Sequence, residues 1–207
     1  GLQCEAILTD MNQVLGKSAG HILEISECIN FLKNQEKESR LEKITYELIA
    51  SILMMSQKLS KEAALEKINS VMSNGEAAEK FEKMVQALGG PSDILSSHEK
   101  HLKINAIKKD IFPTKSGWVE KIKTRDLGLI LIELGGGRKQ TTDKINFNVG
   151  YNNILRVGDK VDPSSPILSV FTKSENDYEN VRKKIQDCFI ITDSAVSELP
   201  HTYEVIN

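Results

Sequence analysis

The spacing of apolar residues changes once along the chain, near residue 104, and this change most constrains the fold. Between residues 19 and 104 apolar side chains recur every three to four positions, as in amphipathic helices. From residue 105 onward, short apolar runs alternate with Gly, Pro, Asn and Asp, which is typical of strands joined by tight turns. The sequence therefore predicts two domains of different architecture, residues 1–104 and residues 105–207.

The first domain is predicted to have an α/β fold. Residues 3–12 form an apolar run that ends in polar residues, which is typical of a buried strand followed by a ligand-facing loop. A lone carboxylate at such a strand end, here Asp10, more often orders the turn than acts in catalysis. The helix that follows should bury Ile22, Ile25 and Ile29. Because a domain rarely opens on a central strand, we expect the chain to be a fragment of a larger protein.

The second domain is predicted to be a small α+β domain. Residues 124–134 fit either a strand or a helix, and a helix is favoured because Thr124 can cap it and the glycines after residue 134 can stop it. A charged helix follows over residues 175–187. Strands are predicted at residues 104–111, 118–122, 145–149, 167–171 and 203–206.

Composition excludes several classes of function. The 27 basic and 29 acidic residues nearly cancel and are scattered, so the chain lacks the electrostatic footprint of a nucleic-acid-binding protein. The three cysteines are odd in number and far apart, which indicates reduced thiols and a cytoplasmic protein. The longest apolar runs are too short to span a bilayer, so no membrane partner is expected.

No catalytic constellation is visible in the residues alone. The four histidines lack metal-ligand spacing, and no serine lies in a nucleophile-elbow context. The run Gly135-Gly136-Gly137-Arg138 suggests an anion cradle, but it follows a predicted helix C-terminus, where the dipole has the wrong sign, so a structural turn is favoured. Glu27 lies near the loop of residues 14–18, and either a hard-cation ligand or a solvated side chain would fit there.

Five segments in register resemble the second half of the thymidine phosphorylase and pyrimidine-nucleoside phosphorylase family. The resemblance extends over essentially the whole chain. The segments are residues 9–16 (TDMNQVLG), 19–25 (AGHILEI), 74–81 (NGEAAEKF), 135–138 (GGGR) and 157–161 (VGDKV).

The resemblance implies reversible phosphorolysis, in which phosphate as co-substrate converts thymidine to thymine and 2-deoxyribose 1-phosphate. Residues 1–104 would complete the α/β phosphate-binding domain, and residues 105–207 would be the barrel-sandwich-like C-terminal domain. The family's phosphate loop, base-binding residues and most of its dimer-forming domain have no counterpart in this chain. The expected partners are therefore the missing N-terminal half and, in the complete enzyme, a pyrimidine nucleoside and a second subunit.

The resemblance also implies half of a potassium site and no catalytic residue in this segment. The potassium ligands would be the backbone carbonyls of Leu15 and Ser18 and the carboxylate of Glu27. Alone, the segment is expected to be inactive; the alternative is a non-catalytic scaffold or assembly module derived from the family. Three positions depart from the family pattern: Ser18 replaces Ala, His21 replaces the Asn of many members, and Leu88 replaces a common Gln.

Overall fold

The computed structural model describes residues 4–206, in which seven helices and eight strands form a mixed α/β structure. The helices are α1 (His21–Leu32), α2 (Ser39–Gln57), α3 (Lys61–Ser73), α4 (Glu76–Ala87), α5 (Ile94–His101), α6 (Thr124–Glu133) and α7 (Glu175–Gln186). The strands are β1 (Ala6–Thr9), β2 (Ile107–Ile111), β3 (Gly117–Ile122), β4 (Gly150–Asn152), β5 (Lys160–Val161), β6 (Leu168–Thr172), β7 (Phe189–Thr192) and β8 (Thr202–Ile206).

The chain forms two compact units, each built from separate stretches of sequence. The helical unit contains the described residues up to Asp10, residues Ser26–Leu102 and the described residues from Pro200 onward. The sheet unit contains Met11–Ile25 and Lys103–Leu199. Compact units are defined by contacts and need not coincide with family domains, so the division into residues 1–104 and 105–207 stays a prediction.

Helices fill most of residues 21–101, as the apolar spacing predicts. The Ser60 hydroxyl accepts the Ala63 N–H at 3.2 Å and caps α3, which ends at Asn74 before Gly75 with φ of 86°. The Glu38 carboxylate accepts the N–H groups of Arg40 and Leu41 and so caps α2, an N-cap that is not among the predictions. The buried residues packed between these helices are Phe31, Ala50, Ala64, Ile68 and Met72.

The opening strand differs from its prediction. β1 pairs with β8 in a two-stranded antiparallel sheet, and Leu8 is 46% exposed, so within the described residues it is not a buried central strand. Gln3, the first residue of the predicted strand, lies outside the described residues. The polar turn after β1 is correctly placed, but Asp10 does more than order it.

Asp10 forms a buried ion pair with Arg40. Their side chains are almost fully buried, and Arg40 Nη1 lies 3.3 Å from Asp10 Oδ2. Arg40 Nη2 also donates to the Asp10 carbonyl, while the Tyr203 hydroxyl donates to Asp10 Oδ1 at 3.0 Å. The Asp10 N–H donates to the His201 carbonyl at 3.1 Å. This pair therefore ties together the end of β1, the start of α2 and the strand β8.

The buried face of α1 also differs from the prediction. Leu23 is buried beside Gly150, and Ile29 is fully buried, whereas Ile25 is 41% exposed. Leu23 and Ile25 are two residues apart and therefore point to opposite sides of a helix. Burying Leu23 consequently leaves Ile25 in solvent, although the helix itself is where the sequence predicts it.

The sheet unit contains two three-stranded antiparallel sheets around one apolar core. The strand orders are β2-β6-β4 and β5-β3-β7. In β3, a bulge between Val119 and Lys121 makes Glu120 an extra residue, so Val119 and Ile122 are both buried although they are three positions apart. Core residues come from both sheets and from two helices: Ile111, Val119, Ile122, Leu127, Ile130, Tyr151, Val161, Leu168, Val170, Val181, Ile185 and Phe189. This architecture agrees with the predicted sandwich-like α+β domain.

Two local predictions in the sheet unit are wrong. Residues 145–149 form no strand, and β4 begins at Gly150 instead. The Asn146 side chain accepts the Asn148 N–H at 3.1 Å, a local turn that competes with an extended backbone. Thr124 is the first residue of α6 and not its cap. The helix is otherwise as predicted.

The buried pair predicts a large effect of replacing Arg40. Arg40→Met would leave the Asp10 carboxylate buried without its cation, so we expect a loss of about 3–5 kcal/mol in the free energy of unfolding. Urea titration followed by circular dichroism measures the loss. Asp10→Asn in the same background should recover part of it, because the two residues interact directly.

The matched control is Arg125→Met, which removes an exposed arginine and should change stability by less than about 0.5 kcal/mol. Equal unfolding midpoints for the Arg40 and Arg125 variants would contradict the role given to the pair.

Candidate functional site

The segment of residues 11–20, here called the 11–20 loop, contains two of the predicted potassium ligands and belongs to the sheet unit. Its backbone is fixed by hydrogen bonds to β4 and the turn after it. The Ala19 N–H donates to the Tyr151 carbonyl at 3.0 Å, and the Tyr151 N–H donates to the Ala19 carbonyl at 2.7 Å. The Lys17 carbonyl accepts the Ile154 N–H at 3.0 Å. The loop therefore has a defined backbone conformation.

Two side-chain hydrogen bonds add to this attachment. Gln13 is buried, and its Oε1 accepts the Val157 N–H at 3.3 Å. The Thr124 hydroxyl donates to the Met11 carbonyl at 3.0 Å. This contact explains why Thr124 does not cap α6, because its hydroxyl is already engaged with the loop.

Gly20 and Gly150 allow the loop and β4 to approach each other closely. A Cβ on Gly150 would lie 2.4 Å from the Ala19 carbonyl oxygen, and one on Gly20 would lie 2.6 Å from the Val149 carbonyl oxygen. Gly20 also has φ of 120°, which L-residues rarely adopt. Glycine is therefore required at both positions for the paired backbones to meet.

Tyr151 anchors the strand side of this attachment. Its side chain is buried in the core, and its hydroxyl donates to the Leu127 carbonyl at 3.2 Å. Burial raises the pKa of the Tyr151 phenol well above its usual range, so the hydroxyl stays a neutral donor at physiological pH. Val14 and Ala19 of the loop pack against the same core.

The predicted carbonyl ligands lie on either side of the attached Lys17 carbonyl. Within residues 4–206, no hydrogen bond engages the Leu15 carbonyl, and the Leu15 side chain is 45% exposed. Ser18 is buried. Carbonyl and carboxylate oxygens are the donors that hard cations prefer, so this donor set fits such an ion. Glu27 lies on α1 and is half-buried, in the helical unit, so the three-residue site stays a prediction.

A metal centre of a different composition is not found in the described part of the chain. No group of three or more His, Cys, Asp or Glu residues within residues 4–206 could hold a metal ion. His101 contacts Asp93 at 2.7 Å, and this hydrogen bond lowers the pKa of the Asp93 carboxyl. Burial raises the pKa of the Cys188 thiol to about 11, so Cys188 is a core residue and no nucleophile.

The glycine run is a helix stop, as predicted. Gly135 has φ of 91°, and its N–H donates to the Ile132 carbonyl at 3.0 Å. The Gly136 N–H donates to the Leu131 carbonyl at 2.9 Å, which completes a Schellman motif at the end of α6. A phosphate cradle needs the free N–H groups of a helix N-terminus, whereas this run follows the C-terminus of α6. The run therefore cannot serve as a phosphate cradle.

One comparison with known proteins concerns the sheet-rich region. Residues 118–192 match the family model of the pyrimidine nucleoside phosphorylase C-terminal domain. The matched region extends from β3 to β7, and it contains the Tyr151, Ile154 and Val157 contacts to the 11–20 loop. The match covers less than half of the chain, and it supports the family resemblance for this region.

The loop could be predicted from the sequence, but the residues that hold it could not. Gln13 is a polar residue in a polar turn, and Tyr151 directly follows a glycine. The one available signal was Gly20 and Gly150, since glycines beside apolar runs mark close backbone approach. None of the helices in residues 4–206 is long and apolar enough to cross a bilayer.

The close approach predicts that Gly150→Ala destabilises the loop attachment. The added methyl group would collide with the Ala19 carbonyl, so we expect a loss of about 1–3 kcal/mol and faster hydrogen exchange of the Ala19 and Tyr151 amides. Gly128→Ala is the matched control, because no atom lies within 4 Å of the added Cβ.

Gly128→Ala should increase the free energy of unfolding by about 0.5–1 kcal/mol, because Gly128 lies in the middle of α6, where alanine favours the helix more than glycine does. Unchanged exchange at Ala19 in Gly150→Ala, measured by NMR, would show that the two glycines are not needed for the attachment.

Proposed function

We propose that this chain is the C-terminal part of a cytoplasmic pyrimidine-nucleoside phosphorylase. The complete enzyme would catalyse the reversible phosphorolysis of thymidine to thymine and 2-deoxyribose 1-phosphate, with phosphate as co-substrate, and would be a homodimer. The proposal is supported above all by the match of residues 118–192 to the C-terminal domain of this family. The motifs in residues 9–16 and 74–81, which lie outside the match, support it from the other part of the chain.

The proposed contribution of this segment is structural support and half of a cation site. The Leu15 and Ser18 carbonyls and the Glu27 carboxylate would hold potassium, which would bring positive charge close to the phosphate-binding region. The hydrogen bonds from Tyr151 and Ile154 give the 11–20 loop a fixed backbone, so its carbonyls do not have to be ordered when the ion binds.

The segment alone is proposed to be inactive. In phosphorolysis, negative charge shifts from the attacking phosphate to the departing base, and preorganised donors must stabilise both groups in the transition state. The family motifs that supply these donors have no counterpart in residues 1–207. A segment that only positions other groups, without such donors, accelerates phosphorolysis little.

A reconstitution experiment tests the proposal. The chain is mixed with a separately purified polypeptide that carries the N-terminal half of a pyrimidine-nucleoside phosphorylase, and release of thymine and uracil from thymidine and uridine is followed. We expect activity only in the mixture. Thymidine phosphorolysis by this chain alone, at rates comparable to the mixture, would contradict the proposed division of labour. Stable association without activity would favour the scaffold alternative.

The potassium assignment has its own test in the reconstituted enzyme. Glu27→Gln keeps the size and shape of the side chain but removes the negative charge, so the potassium concentration for half-maximal activity should rise about 10-fold or more. Stability should change by less than about 0.5 kcal/mol, since Glu27 is half-buried and outside the apolar core. Glu99→Gln, at an exposed position of α5, is the control for charge, because Glu24 on the same helix accepts the Gly20 N–H of the 11–20 loop. Equal potassium dependence of the two variants would overturn the ligand assignment.

A further inference from the structure

A cleft in the helical unit is not explained by the proposed function. It has a volume of about 620 Å³ and lies between α2, α3 and the start of β8. We call it the α2–α3 cleft, and it is lined by Glu42, Lys43, Tyr46, Glu47, Lys61, Leu65, Asn69, His201 and Thr202. Its size is within the range of pockets that bind small molecules.

The charges in the cleft favour an anion. Glu42 pairs with Lys37 at 3.0 Å, and Glu47 accepts the Thr202 hydroxyl at 2.6 Å, so both carboxylates already have partners. Lys43 Nζ lies 3.2 Å from His201 Nε2, a neutral partner that leaves the lysine charge unbalanced. Neither Lys43 nor Lys61 forms an ion pair with a carboxylate between positions 4 and 206, although both line the cleft. Two ammonium groups that lack a carboxylate partner can together balance a doubly charged anion.

The remaining lining suits a planar ring. Tyr46 provides an aromatic side chain that is only partly exposed, and Leu65 adds an apolar surface. Asn69 carries an amide with both a donor and an acceptor, which can pair with the edge of a heterocycle. Tyr46 and Asn69 also line a neighbouring cavity of about 390 Å³, where Lys37 Nζ lies 5.8 Å from the centre of the Tyr46 ring.

We infer that the α2–α3 cleft binds a phosphate monoester that carries a planar heterocycle, such as a nucleoside monophosphate. Lys43 and Lys61 bind the phosphate, which carries nearly two negative charges at neutral pH. Tyr46 contacts the ring face, and Asn69 binds the ring edge. A singly charged carboxylate would use only one of the two lysines, so the phosphate ester is the better match. This site does not depend on the proposed phosphorylase activity.

Titration calorimetry with the 207-residue chain tests the site, with uridine 5′-monophosphate as the probe. Ribose 5-phosphate, which lacks the ring, and uridine, which lacks the phosphate, are the comparison ligands. We expect the monophosphate to bind at least about 10-fold more tightly than either. Ribose 5-phosphate binding as tightly as the monophosphate, or uridine doing so, would overturn the assigned chemistry.

Two double variants distinguish binding in the α2–α3 cleft from nonspecific electrostatic attraction to the protein surface. Lys43→Ala/Lys61→Ala should weaken binding of the monophosphate about 10-fold or more, whereas Lys80→Ala/Lys83→Ala removes the same charge from exposed positions on α4 and should leave it unchanged. Thermal unfolding confirms that each variant is folded. Equal weakening in both double variants would mean nonspecific attraction. Absence of binding by the folded native chain at millimolar monophosphate would also overturn the inference.

Discussion

The buried ion pair between Asp10 and Arg40 is the interaction on which the helical unit depends most. Removing two charges from water is costly, and the cost is offset only when both charges are well paired and hydrogen-bonded. Here the Asp10 carboxylate also accepts a hydrogen bond from the Tyr203 hydroxyl, and the Asp10 carbonyl accepts one from Arg40 Nη2. Because these partners come from the end of β1, the start of α2 and β8, the pair links three elements that are distant in sequence.

In the sheet unit, segments that are distant in sequence are held together by backbone hydrogen bonds. The 11–20 loop has few apolar residues of its own, and yet it is ordered because β4 pairs with it at Ala19 and because Gly20 and Gly150 remove the Cβ atoms between them. The region matched by the family model thus contributes to more than its own fold, because its hydrogen bonds set the conformation of a loop whose carbonyls are the proposed cation ligands.

The sequence predicted the positions of helices and strands better than the burial and contacts of their side chains. Apolar spacing predicted helices within residues 19–104, and the charged stretch at residues 175–187 predicted α7, because such patterns depend only on neighbouring residues; helix ends are set locally in the same way, as at Ser60 and Gly75. Burial of Arg40 could not be predicted, because its partner Asp10 lies 30 positions away and the surrounding residues are charged. Ile25 was misassigned because α1 is apolar on more than one side, so only tertiary contacts select the buried face. Tyr151 and Gln13 were missed as loop supports for the same reason.

The pairing of β1 with β8 has a consequence for the order of events during synthesis. Asp10 and Tyr203 are separated by 193 positions, so their contact encloses nearly the whole chain and has a high cost in loop-closure entropy. During synthesis β1 is made well before β8, so the two can pair only after residues 202–206 have been translated. The sheet unit, whose sequence ends at Leu199, is complete before then and can fold first. Until β8 is made, Asp10 lacks its hydrogen bonds with Tyr203 and His201, so this buried site is completed late in synthesis.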